Sequence, residues 1–293
     1  MRRRRIDLLK NFRRKTLSEN ILNIIVSLIF FAVAASYVYI FVWAVMAGAK
    51  EHSEIIMKPF ASPEKWHWEH YLEVFDKLEV NGNTFWDMLF NSIYFSVICV
   101  FVQQLTTIAF AYCCTKYTFP GSKLVYPIVL VMITLPLYGN SGAMYTLLYD
   151  LGLIDSYAQI ITSLSGFSIH FLYYMAFYKN LSNTYWEAAI LDGANDFQVY
   201  YKVMLPQAKP IFGALFLTNW LTIWNSYESA LVYLPNLPTL PVGIYQFSLE
   251  MRSQVRLDIL FAACVIICIP AFVLFLIFNK TITSNISVGG IKG

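Results

Sequence analysis

The chain has 293 residues, of which 58% are hydrophobic and 13% charged, with a formal net charge of +3 and a mean hydropathy of +0.54. That balance is too apolar for an ordinary soluble domain and implies a polytopic membrane protein. The basic excess does not indicate nucleic acid, because Arg2 to Arg5 and Arg13 to Lys15 stand directly before an apolar run, where they set topology and meet anionic lipid.

About 20 mostly apolar residues cross a bilayer as a helix, and six such runs occur in order: Ile21 to Met46, Leu89 to Tyr112, Leu124 to Tyr138, Tyr157 to Tyr178, Ile211 to Leu234 and Ile259 to Phe278. The expected fold is therefore all-α, with residues 1–20 as a basic cytoplasmic segment and residues 21–293 as a six-helix transmembrane domain. The first run is longer than a signal-peptide core and has no small-residue cleavage site, so it is expected to be retained. The third run is short and holds Pro127 and Pro136, tolerable where neighbouring groups satisfy the freed carbonyls. Lys and Arg favour cytoplasmic loops. With the N-terminus inside, 15 of the 21 basic residues are cytoplasmic and 12 of the 18 acidic residues lie outside. Both termini and residues 179–210 are then cytoplasmic, and the loop 47–88 is extracytoplasmic.

That outer loop carries Trp66, His67, Trp68, His70 and Tyr71, a pattern suited to an interfacial helix with aromatics at headgroup level. His67 and His70, with Glu69 and Glu73 nearby, are metal-ligand types, but packing is the stronger reading. The second run contains Asn91, Ser92, Ser96, Gln103, Gln104, Thr106 and Thr107, too many polar groups to face lipid, so some must face helices or a cavity. Gly139 to Gly142 should break the chain before a short helix over 144–151. His170 in the fourth run reads as a satisfied interior histidine. The five cysteines lie in or beside spans, and Cys264 and Cys268 read as small packing residues.

Thr184 to Pro210 is a polar island between two apolar runs. Thr184 followed by Glu187 is a capping-box pattern at a helix start. Ala188, Ala189 and Leu191 favour continuation, Gly193 would cost about 1 kcal/mol in a helix interior and permit a bend, and Pro206 and Pro210 end or kink the helix beyond it.

In the fifth run Trp220, Trp224 and Glu228 recur every four residues, on one helical face, with Asn225 and Tyr227 beside them. A carboxylate facing lipid costs at least about 2 to 3 kcal/mol, so Glu228 should meet a watery cavity or a partner helix. Two readings stay open: a translocation surface, in which the rings stack on sugar and the polar groups bind hydroxyls, or packing of both tryptophans between subunits. No phosphate-cradling loop ending in Lys-Ser or Lys-Thr, nucleophile elbow or HExxH occurs in the sequence. The chain is therefore not expected to hydrolyse ATP.

Glu187, Ala188, Ala189, Gly193, Val203, Leu205 and Pro206 fall at the spacings of a Glu-Ala-Ala to Leu-Pro loop motif, and through it the chain resembles permease subunits of carbohydrate-importing ATP-binding cassette (ABC) transporters. Asp192-Gly193-Ala194 matches that family's form, although the preceding Pro-x-Glu is replaced by Leu181 to Thr184. Trp224, Asn225 and Tyr227 match a Trp-Asn-x-aromatic pattern of sugar permeases, from which Glu228 departs, and Gly289-Gly290-Ile291-Lys292-Gly293 resembles their tail. The resemblance implies a type I importer permease fold in a bacterial inner membrane, with the loop as the element that docks on an ATPase. It also implies a second homologous permease, two ATPase subunits that bind ATP and Mg, an extracytoplasmic solute-binding protein and a sugar substrate, with no cofactor in this chain. The competing reading is a membrane-embedded enzyme acting on lipid or glycan, which would need paired carboxylates or a metal constellation facing one side.

Overall fold

A computed structural model describes residues 17–135, 141–164, 167–250 and 256–285. The basic clusters before Thr16, Pro136, Gly139, Asn140, Ser165, Gly166, Arg252 and the tail from Ser287 lie outside the described residues. The described chain is helical, and its isolated β-bridge pairs Val80 with Asn83. Asn81 and Gly82 between them have φ of 51° and 78°, the paired positive values of a tight Asn-Gly turn.

Among the described residues three helices are long and apolar enough to cross a membrane: Glu19–Gly48 within α1 (Leu17–Gly48), Phe85–Lys116 (α4) and Leu257–Phe278 within α14 (Leu257–Asn285). Ser122–Thr134 (α5) is a shorter apolar helix, with Pro127 inside it. The fourth expected run is not one helix. It begins as a 3-10 segment, Tyr157–Ser163, and resumes as α7 (Ile169–Asn180). The fifth is divided into α11 (Lys209–Asn225) and α12 (Glu228–Tyr233).

The chain forms two compact units. One comprises the chain up to Tyr71 together with Arg256–Val265. Along most of α1 the apolar side chains are exposed, Phe30 and Phe31 at 70% and 74%, as suits a helix meant to face lipid or another chain. Its last turn is buried against its own unit. A Cβ on Gly48 would stand 2.9 Å from the Ala262 amide nitrogen and from the Tyr71 hydroxyl, so only glycine fits. Asp258 is buried, paired with Arg256 at 2.8 Å and facing His70 Nε2 at 3.4 Å, while His70 Nδ1 lies 3.2 Å from the Gly48 carbonyl. The interior Lys50 ammonium donates to the Lys58 carbonyl at 2.8 Å, which satisfies an otherwise costly buried charge. His67 is spoken for by Glu69 at 2.6 Å. The His67 and His70 rings stack at 5.3 Å, and no group of three or more metal-ligating side chains is assembled among the described residues.

The other unit, Leu72–Val255 with Ile266 onward, is built around α4. A capping box starts this helix: Thr84 Oγ1 accepts from the Asp87 amide and Asp87 accepts from the Thr84 amide. Several polar groups along α4 bond to other elements of the unit, while Ser96 and Thr106 bond back to carbonyls of α4 itself. Gln104 joins His170 at 3.2 Å and accepts from the Tyr174 hydroxyl at 2.6 Å. Asn219 donates to Gln103 at 2.8 Å, Tyr157 donates to Asn91 at 2.8 Å, and Ser92 accepts from the Leu240 amide at 2.7 Å. Such bonds are worth most where water is absent, and each orients a helix against α4.

Candidate functional site

The polar island starts with α8, Thr184–Leu191. The expected capping box is not formed there. Thr184 is already helical, and its amide donates to Ser182 Oγ at 3.2 Å while the Glu187 amide bonds to the Asn183 carbonyl at 2.9 Å. The Ser182 hydroxyl accepts the Thr184 amide bond that the Glu187 carboxylate would take in a capping box, and Glu187 is left exposed.

Gly193 is not in a helix interior. Its φ of +82° makes it the left-handed residue that terminates α8. The Gly193 amide donates to the Ile190 carbonyl at 2.9 Å and the Ala194 amide to the Ala189 carbonyl at 3.0 Å, the bond pair of a Schellman motif. The reversal is thus written in the spacing between the alanines of the motif and its glycine. The next residues make a reciprocal cap: Asn195 Oδ1 accepts from the Gln198 amide at 2.9 Å and Gln198 Oε1 from the Asn195 amide at 3.1 Å.

From Asp196 the chain is helical through α9 (Asp196–Gln198), a π-helical stretch Val199–Met204 and α10 (Leu205–Gln207), then α11. Pro206 therefore does not stop the chain. Inside a regular α-helix its ring would strike the carbonyl four residues back. In the widened turn the preceding amide, of Leu205, reaches instead to the Tyr200 carbonyl five residues back, a local expansion that accommodates the proline.

Packing fixes this loop to the unit beneath it. Ala189, Val199, Met204 and Ala208 are buried in one cluster with Tyr112, Tyr174 and Tyr178, and Leu205 and Ala194 pack at its margin. Lys116 Nζ donates to Asn183 Oδ1 at 2.6 Å and Tyr117 Oη to Asp196 Oδ1 at 3.0 Å. Burial first, and then the bond to Asp196, hold the Tyr117 hydroxyl above its ordinary range. The outer side of the loop stays bare. Leu191 is 88% exposed and Phe197 73%, the latter stacked on Tyr201 at 6.2 Å. Glu187, Ala188 and Asp192 are also exposed, and a cleft of about 570 Å3 opens beside Tyr185, Ala188 and Val203. Leu191 and Phe197 escaped the sequence reading, which looked for carboxylates. Their signal was large apolar residues inside a segment otherwise fit for water.

The Trp220, Trp224, Glu228 ladder is not one helical face. Trp220 and Trp224 stack at 4.8 Å, and they are buried to 1% and 2%. Trp224 Nε1 donates to the Ile267 carbonyl at 3.2 Å, whereas Trp220 Nε1 is buried without a partner among the described residues. The helix ends at Asn225, whose side chain folds back to the Leu221 carbonyl at 2.7 Å, and Glu228 begins a separate helix on the exposed surface. Tyr227 stacks on Tyr245 at 4.6 Å. The structure keeps the two tryptophans together and separates them from the carboxylate.

Residues 105–288 match the family described as binding-protein-dependent transport system inner membrane component. The diacetylchitobiose uptake system permease protein NgcG of Streptomyces coelicolor is 27% identical over 84% of this chain and 82% of its own length. The arabinooligosaccharides transport system permease protein AraQ of Bacillus subtilis is 25% identical over 92% of this chain and 96% of its own. Among solved structures, a chain of a bacterial ABC transporter involved in the import of the acidic polysaccharide alginate superposes with a TM-score of 0.73, at 22% identity, covering 91% of this chain and 98% of that one.

Proposed function

Since the chain belongs to the family of binding-protein-dependent transport system inner membrane components, we propose that it is a permease subunit of an ATP-driven importer for a sugar or oligosaccharide. The family match carries this reading, because its matched residues include the whole loop from Thr184 to Pro206. Relatives along most of the chain are oligosaccharide permeases by name, which supports the substrate class. In this reading six spans cross the inner membrane with both termini cytoplasmic. The chain works beside a second, homologous permease and receives sugar from an extracytoplasmic binding protein.

Two ATPase subunits bind ATP and Mg and supply the energy. Their contact on this chain is the loop of Glu187, Ala188, Ala189, Asp192, Gly193, Ala194, Leu205 and Pro206. Three properties support that role. The Schellman turn at Gly193 makes the loop stiff, its buried alanine and methionine side chains root it in the helical unit, and its bare Leu191 and Phe197 offer apolar area for a partner to cover. Motion imposed on a stiff, rooted element moves the helices beneath it, which is what coupling requires. Trp220, Trp224, Asn225, Tyr227 and Glu228 remain the candidate pathway residues, with the tryptophans now as its inner support and Glu228 as its exposed polar group.

Uptake of labelled oligosaccharides by cells with and without this chain, the partner subunits being present in both, tests the proposal. Loss of uptake on removal, restored by the wild-type gene, is expected. Uptake independent of the chain for every sugar tried would refute it.

A further inference from the structure

A cavity of about 280 Å3 lies in the unit built on α4, between Ser92 to Cys99 of that helix, the 3-10 segment, the end of α11 and α12. Its volume is at the small end of ligand pockets, roughly 300 to 1,000 Å3, which suits one ring rather than a chain. The polar lining is uncharged. It consists of hydroxyls such as those of Ser96, Ser163, Ser229 and Thr239 and the Gln159 amide, set against the apolar surface of Phe95 and Trp224, and among the described residues no Lys, Arg, His, Asp or Glu lines it. The Thr239 hydroxyl is buried with no hydrogen-bond partner among the described residues. A buried hydroxyl without a partner is an anomaly that a bound polar group would resolve.

We propose that this cavity is a binding subsite for a single uncharged sugar unit, with Thr239 as a bond donor or acceptor to a ring hydroxyl. The inference rests on the importer reading and deepens it. Sugar hydroxyls both donate and accept, and so do the side chains of the lining, so each can pair in either sense. The C–H face of a ring packs on the apolar surface of Met144 and Ile223, which also line the cavity. A uronate or sulfonate fits poorly, because its charge would lose water without gaining a cation. An acyl chain fits no better, since it would leave the hydroxyls unpaired.

The test uses the assembled transporter, a panel of neutral disaccharides and the uronate counterpart of each. The five native cysteines, Cys99, Cys113, Cys114, Cys264 and Cys268, are replaced by serine, and Ser229→Cys places a thiol at the exposed rim. Its alkylation rate is followed as sugar is added, and import of each sugar by the wild-type transporter is measured alongside. An imported neutral sugar should slow alkylation while its uronate counterpart does not. Adding Thr239→Val should raise the half-protecting concentration about two- to tenfold, the worth of one neutral hydrogen bond, and Thr239→Ser should leave it unchanged. If Thr239→Val does not assemble, the protection result alone decides. A neutral sugar that is imported yet gives no protection overturns the subsite and leaves the importer reading intact. Equal protection by the uronate overturns the selectivity for uncharged sugar. If the wild-type transporter imports nothing in the panel, the importer reading fails and the subsite falls with it.

Discussion

The Tyr117 hydroxyl donates to the Asp196 carboxylate at 3.0 Å, and the adjacent Lys116 reaches Asn183 at 2.6 Å. Two consecutive residues at the end of α4 therefore hold the loop on both sides of Gly193, one before α8 and one at α9. Any displacement of the loop is passed to the longest helix of its unit through these bonds as well as through the buried alanine and tyrosine contacts.

Tyr117→Phe should loosen the α9 side without unfolding the unit. A bond to a partly exposed carboxylate contributes about 1 kcal/mol, so amide exchange at residues 196–199 should quicken about fivefold. Hydrogen exchange read by mass spectrometry checks this. Because the tyrosine is held above its ordinary range, its contribution is fully present below pH of about 10 and is lost as the pH rises beyond that. Protection of these amides, measured against their intrinsic exchange rate at each pH, should thus be steady across the neutral range in wild type.

At Gly193 the obstacle to substitution is backbone strain and not space, since a Cβ there would meet nothing within 4 Å. Gly193→Ala should cost about 1 to 2 kcal/mol. Gly193→Asn should cost less, since asparagine tolerates the left-handed region, and Gly193→Val more. Thermal unfolding of the purified transporter should rank Gly193→Asn above Gly193→Ala, and Gly193→Ala above Gly193→Val. Equal stability for all three would contradict the Schellman turn.

Leu191→Ser and Phe197→Ser alter exposed side chains and should leave the chain's abundance in the membrane unchanged. If an ATPase covers them, each loses burial worth roughly 1.5 to 3 kcal/mol, which weakens ATPase retention about ten- to hundredfold. Co-purification at graded salt and detergent measures it.

The proposed orientation is checked by single cysteines placed at 51, 64 or 79 and at 192 or 197. An impermeant thiol reagent added outside should label the first three positions in intact cells and the last two only after permeabilisation.

Much of this was legible in the sequence. Composition and the apolar runs pointed to a polytopic membrane protein, and the spacing from Glu187 to Pro206 identified the loop. Continuity of helices was not legible. Hydropathy counts apolar residues, so Tyr157–Ser163 and Ile169–Asn180 read as one run, and the change at Ser226 and Tyr227 carries neither Gly nor Pro to mark it. The four-residue period of Trp220, Trp224 and Glu228 holds only while one helix persists, and it ends at Asn225. At the loop, Thr184 with Glu187 and Asn195 with Gln198 both fit the capping-box pattern, yet only the second forms. Ser182 bonds the Thr184 amide in place of the Glu187 carboxylate, and the Asn183 carbonyl takes the Glu187 amide in place of the Thr184 hydroxyl, a competition that pattern alone does not decide. Gly193 could be read as a bend but not as a helix end, because that depends on which carbonyls its amide and the next one find.

The most direct test of the loop as the coupling element is Glu187→Lys in the assembled transporter, with membrane abundance, ATPase retention and sugar uptake measured on the same preparation. Glu187 is exposed on α8 and, among the described residues, is engaged in the loop only through its backbone amide, so reversing its charge should leave folding and insertion as they are. The predicted result is normal abundance with uptake lost and the ATPase detached or no longer stimulated by sugar. Normal uptake with full ATPase retention would contradict the account.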